Sequence, residues 1–158
     1  NYLVLWNKIM KDIASNTLFS IYLGYPTNRD DETNFYRVLQ NYTNIGVEIF
    51  AYLIDWEKMD GLPKCRMYVP ADHEVFIHCA YKSELLTKEQ ISSINCKIIE
   101  SCNLFILFGG RKINEECGAV EIQCAEQNKI PIYNMPDLSP MAIDALKLSI
   151  KLIIRAED

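Results

Sequence analysis

Short apolar runs alternate with stretches of helical periodicity along this chain, and that alternation constrains the fold more than any other feature. A strand followed by a helix before the next strand pairs most readily in parallel, so the pattern predicts βαβ units and a largely parallel sheet. Leu18 to Gly24 (LFSIYLG) reads as the first strand, closed by Gly24 and Pro26. Asp30 to Thr43 carries Phe35, Val38, Leu39 and Tyr42 at helical spacing. Val47 to Ile54 (VEIFAYLI) reads as a second strand entered through Gly46. Asp55 to Pro70, interrupted by Gly61 and Pro63, reads as a long loop of the kind that forms binding or lid segments, and Val75 to Tyr81 as an edge strand.

Thr87 opens a helix with a capping box closed by Gln90, and Ile91, Ile94, Ile98, Ile99 and Cys102 form its apolar stripe. Leu104 to Phe108 (LFILF) has the composition of a buried central strand, ended by Gly109 and Gly110. Glu116 to Asn128 follows as a helix and Ile130 to Asn134 as a strand. Ser139-Pro140 caps a last helix running to about Arg155. The expected fold is α/β: a Rossmann-like, doubly wound, mostly parallel sheet of about five strands flanked by helices, spanning residues 17–158. Ahead of it, residues 1–16 are expected to form a helix. This stretch has neither an initiator Met nor a signal-peptide cleavage pattern and reads as the trimmed start of the chain. Leu3, Leu5, Trp6, Ile9 and Ile13 lie on one side of it, as if to dock on the domain or on a partner subunit.

Composition narrows the function classes. A net charge of −5 lacks the clustered cations that sequence-independent nucleic-acid binding requires. No segment is apolar for long enough to span a bilayer, so neither a nucleic-acid nor a membrane partner is expected. The six cysteines form no Cys-x-x-Cys pair and only two histidines, His73 and His78, are present, so no metal or other cofactor is expected. Cysteines within apolar segments are small buried hydrophobes, which suits a reducing, cytoplasmic setting.

Ligands of doubly wound sheets sit beyond the carboxyl ends of the strands. That rule directs attention to the turn Gly24-Tyr25-Pro26 and to the segment Gly109 to Glu121. Glu121 shares a helix face with Cys117, Val120, Cys124 and Ala125, so its carboxylate is set among apolar neighbours. Burial disfavours its charge while the amino end of the helix favours it, a balance suited to a nucleophile or to an acceptor for sugar hydroxyls; a simple helix cap is the structural alternative. Asn95 repeats the pattern on the isoleucine stripe, and a buried amide needs partners. Arg111, after Gly109-Gly110, is placed to contact a ribose or phosphate. Trp56, Tyr52, Tyr68 and Tyr81 offer candidate stacking surfaces for a base. No dinucleotide fingerprint, Walker loop or nucleophile elbow is present.

Ile21-Tyr22-Leu23-Gly24, the helix with Asn34, and the segments Asn95 to Phe108 and Glu115 to Ile132 together resemble nucleoside 2-deoxyribosyltransferases and related nucleotide N-glycosidases, over roughly residues 18–135. The resemblance implies that Tyr22 is the family's strand tyrosine, that Glu121 is the nucleophile attacking the anomeric carbon, and that Glu115 contacts the sugar. It implies a nucleoside- or nucleotide-like ligand and a homo-oligomer. The family's helical Asp, which handles the base or its proton, falls on Asn95, and the Asp ending that helix falls on Asn103. Cys117 stands where the family has Gly. Two further readings share the architecture. One is a binding module that does not cleave its ligand. The other is a domain similar to the NAD-cleaving TIR-like proteins, with Cys117 where those often carry Trp.

Overall fold

The computed structural model describes residues 4, 18–24, 32–109 and 119–157. Among the described residues of 18–157 lie four strands and five helices: β1 (Phe19–Gly24), α1 (Glu32–Asp60), β2 (Cys65–Tyr68), α2 (Glu74–Lys82), α3 (Lys88–Glu100), β3 (Leu104–Phe108), α4 (Ala119–Gln127), β4 (Ile132–Met135) and α5 (Pro140–Glu157). The sheet is wholly parallel with the order β2-β1-β3-β4, so the order reverses between β1 and β3. Of the expected N-terminal helix only residue 4 is described, helical and exposed.

Strand alternation sorts the core into two halves. Phe19, Ile21, Leu23, Leu104 and Ile106 point to one face and meet α1 and α5, through residues such as Phe35, Ile49, Leu53, Leu146 and Ile150. Tyr22, Phe105 and Leu107 point to the other and meet Ile99 of α3 with Cys124 and Ala125 of α4. All six residues of β1 are buried, as a central strand covered on both faces requires. Lys147 of α5 joins the end of α1, with Nζ 2.6 Å from Asp60 Oδ2 and 5.7 Å from the centre of the Trp56 ring.

Three sequence expectations give way here. Val47 to Ile54 is not a strand but the middle of the 29-residue α1. The deciding pattern is Phe35, Leu39, Tyr42, Ile45, Ile49, Leu53 and Trp56, a stripe at steps of three and four that runs straight through the VEIFAYLI segment. Val47 and Ile54, which a strand reading buries, stand 66% and 37% exposed. Gly46 is mid-helix, where an added Cβ would lie 2.8 Å from Val69 Cγ2, so the glycine lets the end of β2 approach α1.

The second strand instead comes from the presumed loop, at Cys65–Tyr68, beside β1. Lys64 and Arg66 place charge along this edge, a common protection of an open strand. Val75 to Tyr81 is helical as well, within α2, which follows the short 3-10 turn Pro70–Asp72. The sheet among the described residues therefore has four strands rather than about five. The capping box at Thr87 forms as the sequence predicts, with the Gln90 N–H donating to Thr87 Oγ1 at 3.1 Å and the Thr87 N–H to Gln90 Oε1 at 2.8 Å.

Candidate functional site

β3 ends at Phe108, α4 begins at Ala119, and Asn128 to Pro131 lead straight from its last turn into β4. A helix that returns the chain to the start of a parallel strand has its first turn at the carboxyl edge of the sheet. Glu121 lies in that first turn, half-buried. Its neighbour across the helix pair is Asn95 of α3, whose Nδ2 donates a long hydrogen bond of 3.4 Å to Glu121 Oε1. Asn95 is only 5% exposed, and the other arm of its carboxamide, Oδ1, is buried with no hydrogen-bond partner. Two residues singled out separately in the sequence, 26 positions apart, thus meet in one contact.

Both helices depart in detail from the sequence expectation. The inward stripe of α3 is Ile91, Asn95 and Ile99, while Ile94 turns outward at 43% exposure. On α4, Cys124 and Ala125 are buried as expected, but Val120 is 47% exposed. A helix covering two strands from above presents a narrower apolar face than the composition of the segment suggests.

Tyr22 lies in β1, almost fully buried, on the sheet face that carries α3 and α4. Parallel pairing in register sets Tyr68 and Phe105 on either side of it. Its ring stacks on Tyr68 with centroids 5.6 Å apart and on Phe105 at 5.2 Å. His73 extends the row by stacking on Tyr68 at 5.7 Å. Burial, then the nearby carboxylates of Glu74 and Asp72, push the Tyr68 hydroxyl above its ordinary range. Gly24 closes β1 directly against this row: a Cβ there would come within 2.5 Å of the Phe105 ring. Its role is therefore to admit that ring. Gly109 ends β3 with its N–H donated to Met135 O at 2.8 Å, so that donor belongs to the sheet and not to a ligand. Tyr25, Pro26, Gly110, Arg111, Glu115 and Cys117 lie outside the described residues.

Two cysteines pack beside the Asn95–Glu121 contact. Cys124 Sγ donates to the carbonyl oxygen of Cys96 at 3.5 Å, fastening α4 to α3. The Cys96 thiol is pushed up to about 12, first by burial, then by its hydrogen bond and proximity to Cys124, then by the charges of Glu121 and Glu100. Such a thiol stays protonated at neutral pH and packs as an apolar group.

Other sequence candidates fall elsewhere. Asn103 takes part in the sheet: its Oδ1 accepts from the Ser20 N–H at 2.8 Å and its own N–H donates to Ser20 O at 2.7 Å. Ser20 is near the entry of β1, so Asn103 marks the opposite edge from Glu121. Trp56 and Tyr52 pack against each other near the end of α1 rather than along the aromatic row. Tyr81 lies near Lys88, whose ammonium is 5.8 Å from its ring centre.

One pair was missed. Glu74 and His78 are buried on the same face of α2, with the His78 ring stacked on Phe35 at 4.2 Å. Reading residues 74–82 as a helix would have revealed it, because positions four apart share a face. Among the described residues there is no group of metal-ligating side chains, and no helix long and apolar enough to cross a membrane. In comparisons with known proteins, no family model, curated protein or solved structure matches the chain.

Proposed function

We propose that this chain is a Rossmann-like, doubly wound domain that cleaves or transfers an N-glycosidic bond of a nucleoside- or nucleotide-like ligand, with Glu121 as nucleophile. The observation carrying this reading is the contact between Glu121, in the first turn of α4, and the buried amide of Asn95. Glu121 lies half-buried in the first turn of α4, and the Asn95 N–H donates to one of its oxygens. The other oxygen is left to attack an anomeric carbon, displacing the base and giving a covalent glycosyl-enzyme that water or a second base resolves. The strand order reverses between β1 and β3, beside this edge, where ligands of open parallel sheets bind. Tyr68, half-buried at the end of β2 and stacked on Tyr22, supplies an aromatic surface near the same edge. The resemblance to nucleoside 2-deoxyribosyltransferases, carried by Tyr22, Gly24 and Glu121, agrees with this chemistry, and by the same analogy the protein acts as a homo-oligomer.

A second reading is favoured by one residue. Asn95 cannot exchange a proton, so the leaving base is not protonated from this position. A module that binds a nucleotide-like ligand without cleaving it accounts for that equally well.

The experiment is to incubate the protein with deoxynucleosides, nucleoside monophosphates and NAD, and to resolve any free base by chromatography. Base release that disappears in Glu121→Gln supports the enzyme. Release of nicotinamide alone selects the NAD-cleaving variant of the same chemistry. Tight binding by calorimetry with no release selects the binding module, and release that survives Glu121→Gln rejects the proposed nucleophile.

A further inference from the structure

The carboxamide of Asn95 has a fixed polarity. Facing a carboxylate, which can only accept, the amide must present its NH2, and that is the arm found 3.4 Å from Glu121 Oε1. The remaining arm is therefore an oxygen, and it is buried without a partner. A buried acceptor left unpaired is costly, and residues of this kind persist where something absent from the bare protein completes the hydrogen bond. Replacing Asn95 by an apolar residue would remove the cost, since its neighbours on the stripe are Ile91 and Ile99.

We infer that Asn95 is a specificity-determining residue: its Oδ1 accepts a hydrogen bond from an N–H or O–H donor of the ligand held at Glu121. This deepens the proposed function and rests on it. Unlike a carboxyl group, which presents an acceptor when ionised and a donor when protonated, the tethered amide presents an acceptor at every working pH. A ligand with a donor at this position satisfies the buried oxygen, whereas one with an acceptor or a bare C–H there leaves it unpaired. Sites built this way discriminate strongly between analogues differing by a single polar group. The donor has two possible sources in a nucleoside-like ligand, the 2′-hydroxyl of a ribose and the exocyclic amine of a base.

The test uses matched ligand pairs with the full chain. Adenosine against 2′-deoxyadenosine isolates the hydroxyl. 2′-Deoxyadenosine against purine 2′-deoxyriboside isolates the amine. Each is measured by calorimetry and by base release, as nucleoside and as 5′-monophosphate. The inference expects the donor-bearing member of one class of pair to be preferred about ten- to hundredfold. It expects Asn95→Leu to erase that preference and Asn95→Asp to show it only at pH values where the new carboxyl is ionised. Thermal melting separates this from a structural role: Asn95→Leu should melt at or above the parent temperature while its selectivity is lost. Equal handling of both members of every pair, or a preference that survives Asn95→Leu, overturns this inference and leaves the function standing. If nothing in the panel binds or reacts with the parent protein, the functional reading itself fails, and this inference fails with it.

Discussion

At the scale of single residues, the site depends on positions where one atom more or less matters. Gly24→Ala would drive a methyl into the Phe105 ring, which is itself buried and held between the sheet and the helices. Overpacking of this kind costs about 1–3 kcal/mol, so chemical denaturation should show Gly24→Ala destabilised by that amount. Cys96 makes a second prediction. Its folded-state pKa is raised above the unfolded value of 9.0 to about 12, so the folded protein holds the proton more tightly. The associated stability is fully present below the unfolded value and is lost as pH rises from there through the folded one. Denaturation midpoints of the parent should therefore fall more steeply between pH 9 and pH 12 than those of Cys96→Ala. Parallel curves would contradict the raised thiol pKa.

Among the elements, α1 most clearly separates what the sequence revealed from what it hid. Leu18 to Gly24 and Leu104 to Phe108 were legible as strands because their apolar runs are short, continuous and bounded by breakers. Residues 47–54 have the same local look, yet they extend a stripe that began at Phe35 and ends at Trp56. A short window registers the β-branched composition, and only a window of several turns registers the period. The two readings differ in a measurable way. In a strand Val47 and Ile49 share a face, whereas in α1 Ile49 is fully buried and Val47 points outward. Ile49→Ala should cost about 2–5 kcal/mol, as buried truncations do, while Val47→Ala should change stability by no more than about 0.5 kcal/mol. Similar losses at both positions would contradict the helix. The Thr87 cap, read directly from its residues, is checked by Thr87→Ala, with an expected loss of about 1 kcal/mol.

At the scale of the whole molecule, parallel topology brings distant residues to one edge, and this is why part of the site was legible. Glu121 and Asn95 were each conspicuous as polar residues on apolar helix faces, a signal that needs no knowledge of the partner. That they touch depends on how α3 and α4 lie side by side across β1 and β3, which no local pattern encodes. The Tyr68–Tyr22–Phe105 row is likewise hidden, because it depends on the register of three strands, one of which lies in a segment that reads as a loop. The proposed function predicts that Tyr68→Ala weakens ligand binding about tenfold or more by removing a stacking surface. Tyr52→Ala, altering a ring near the far end of α1, should leave the affinity unchanged. Calorimetry on both variants checks this.

The proposed function rests on Glu121 as the nucleophile that bonds to the sugar, and the most direct measurement is mass analysis of the protein quenched during reaction with a substrate identified by base release. A glycosyl mass should appear on the peptide containing residues 119–127 and localise to Glu121. It should be absent from Glu121→Gln. A glycosyl group on any other residue, or sustained base release by Glu121→Gln, would contradict the account.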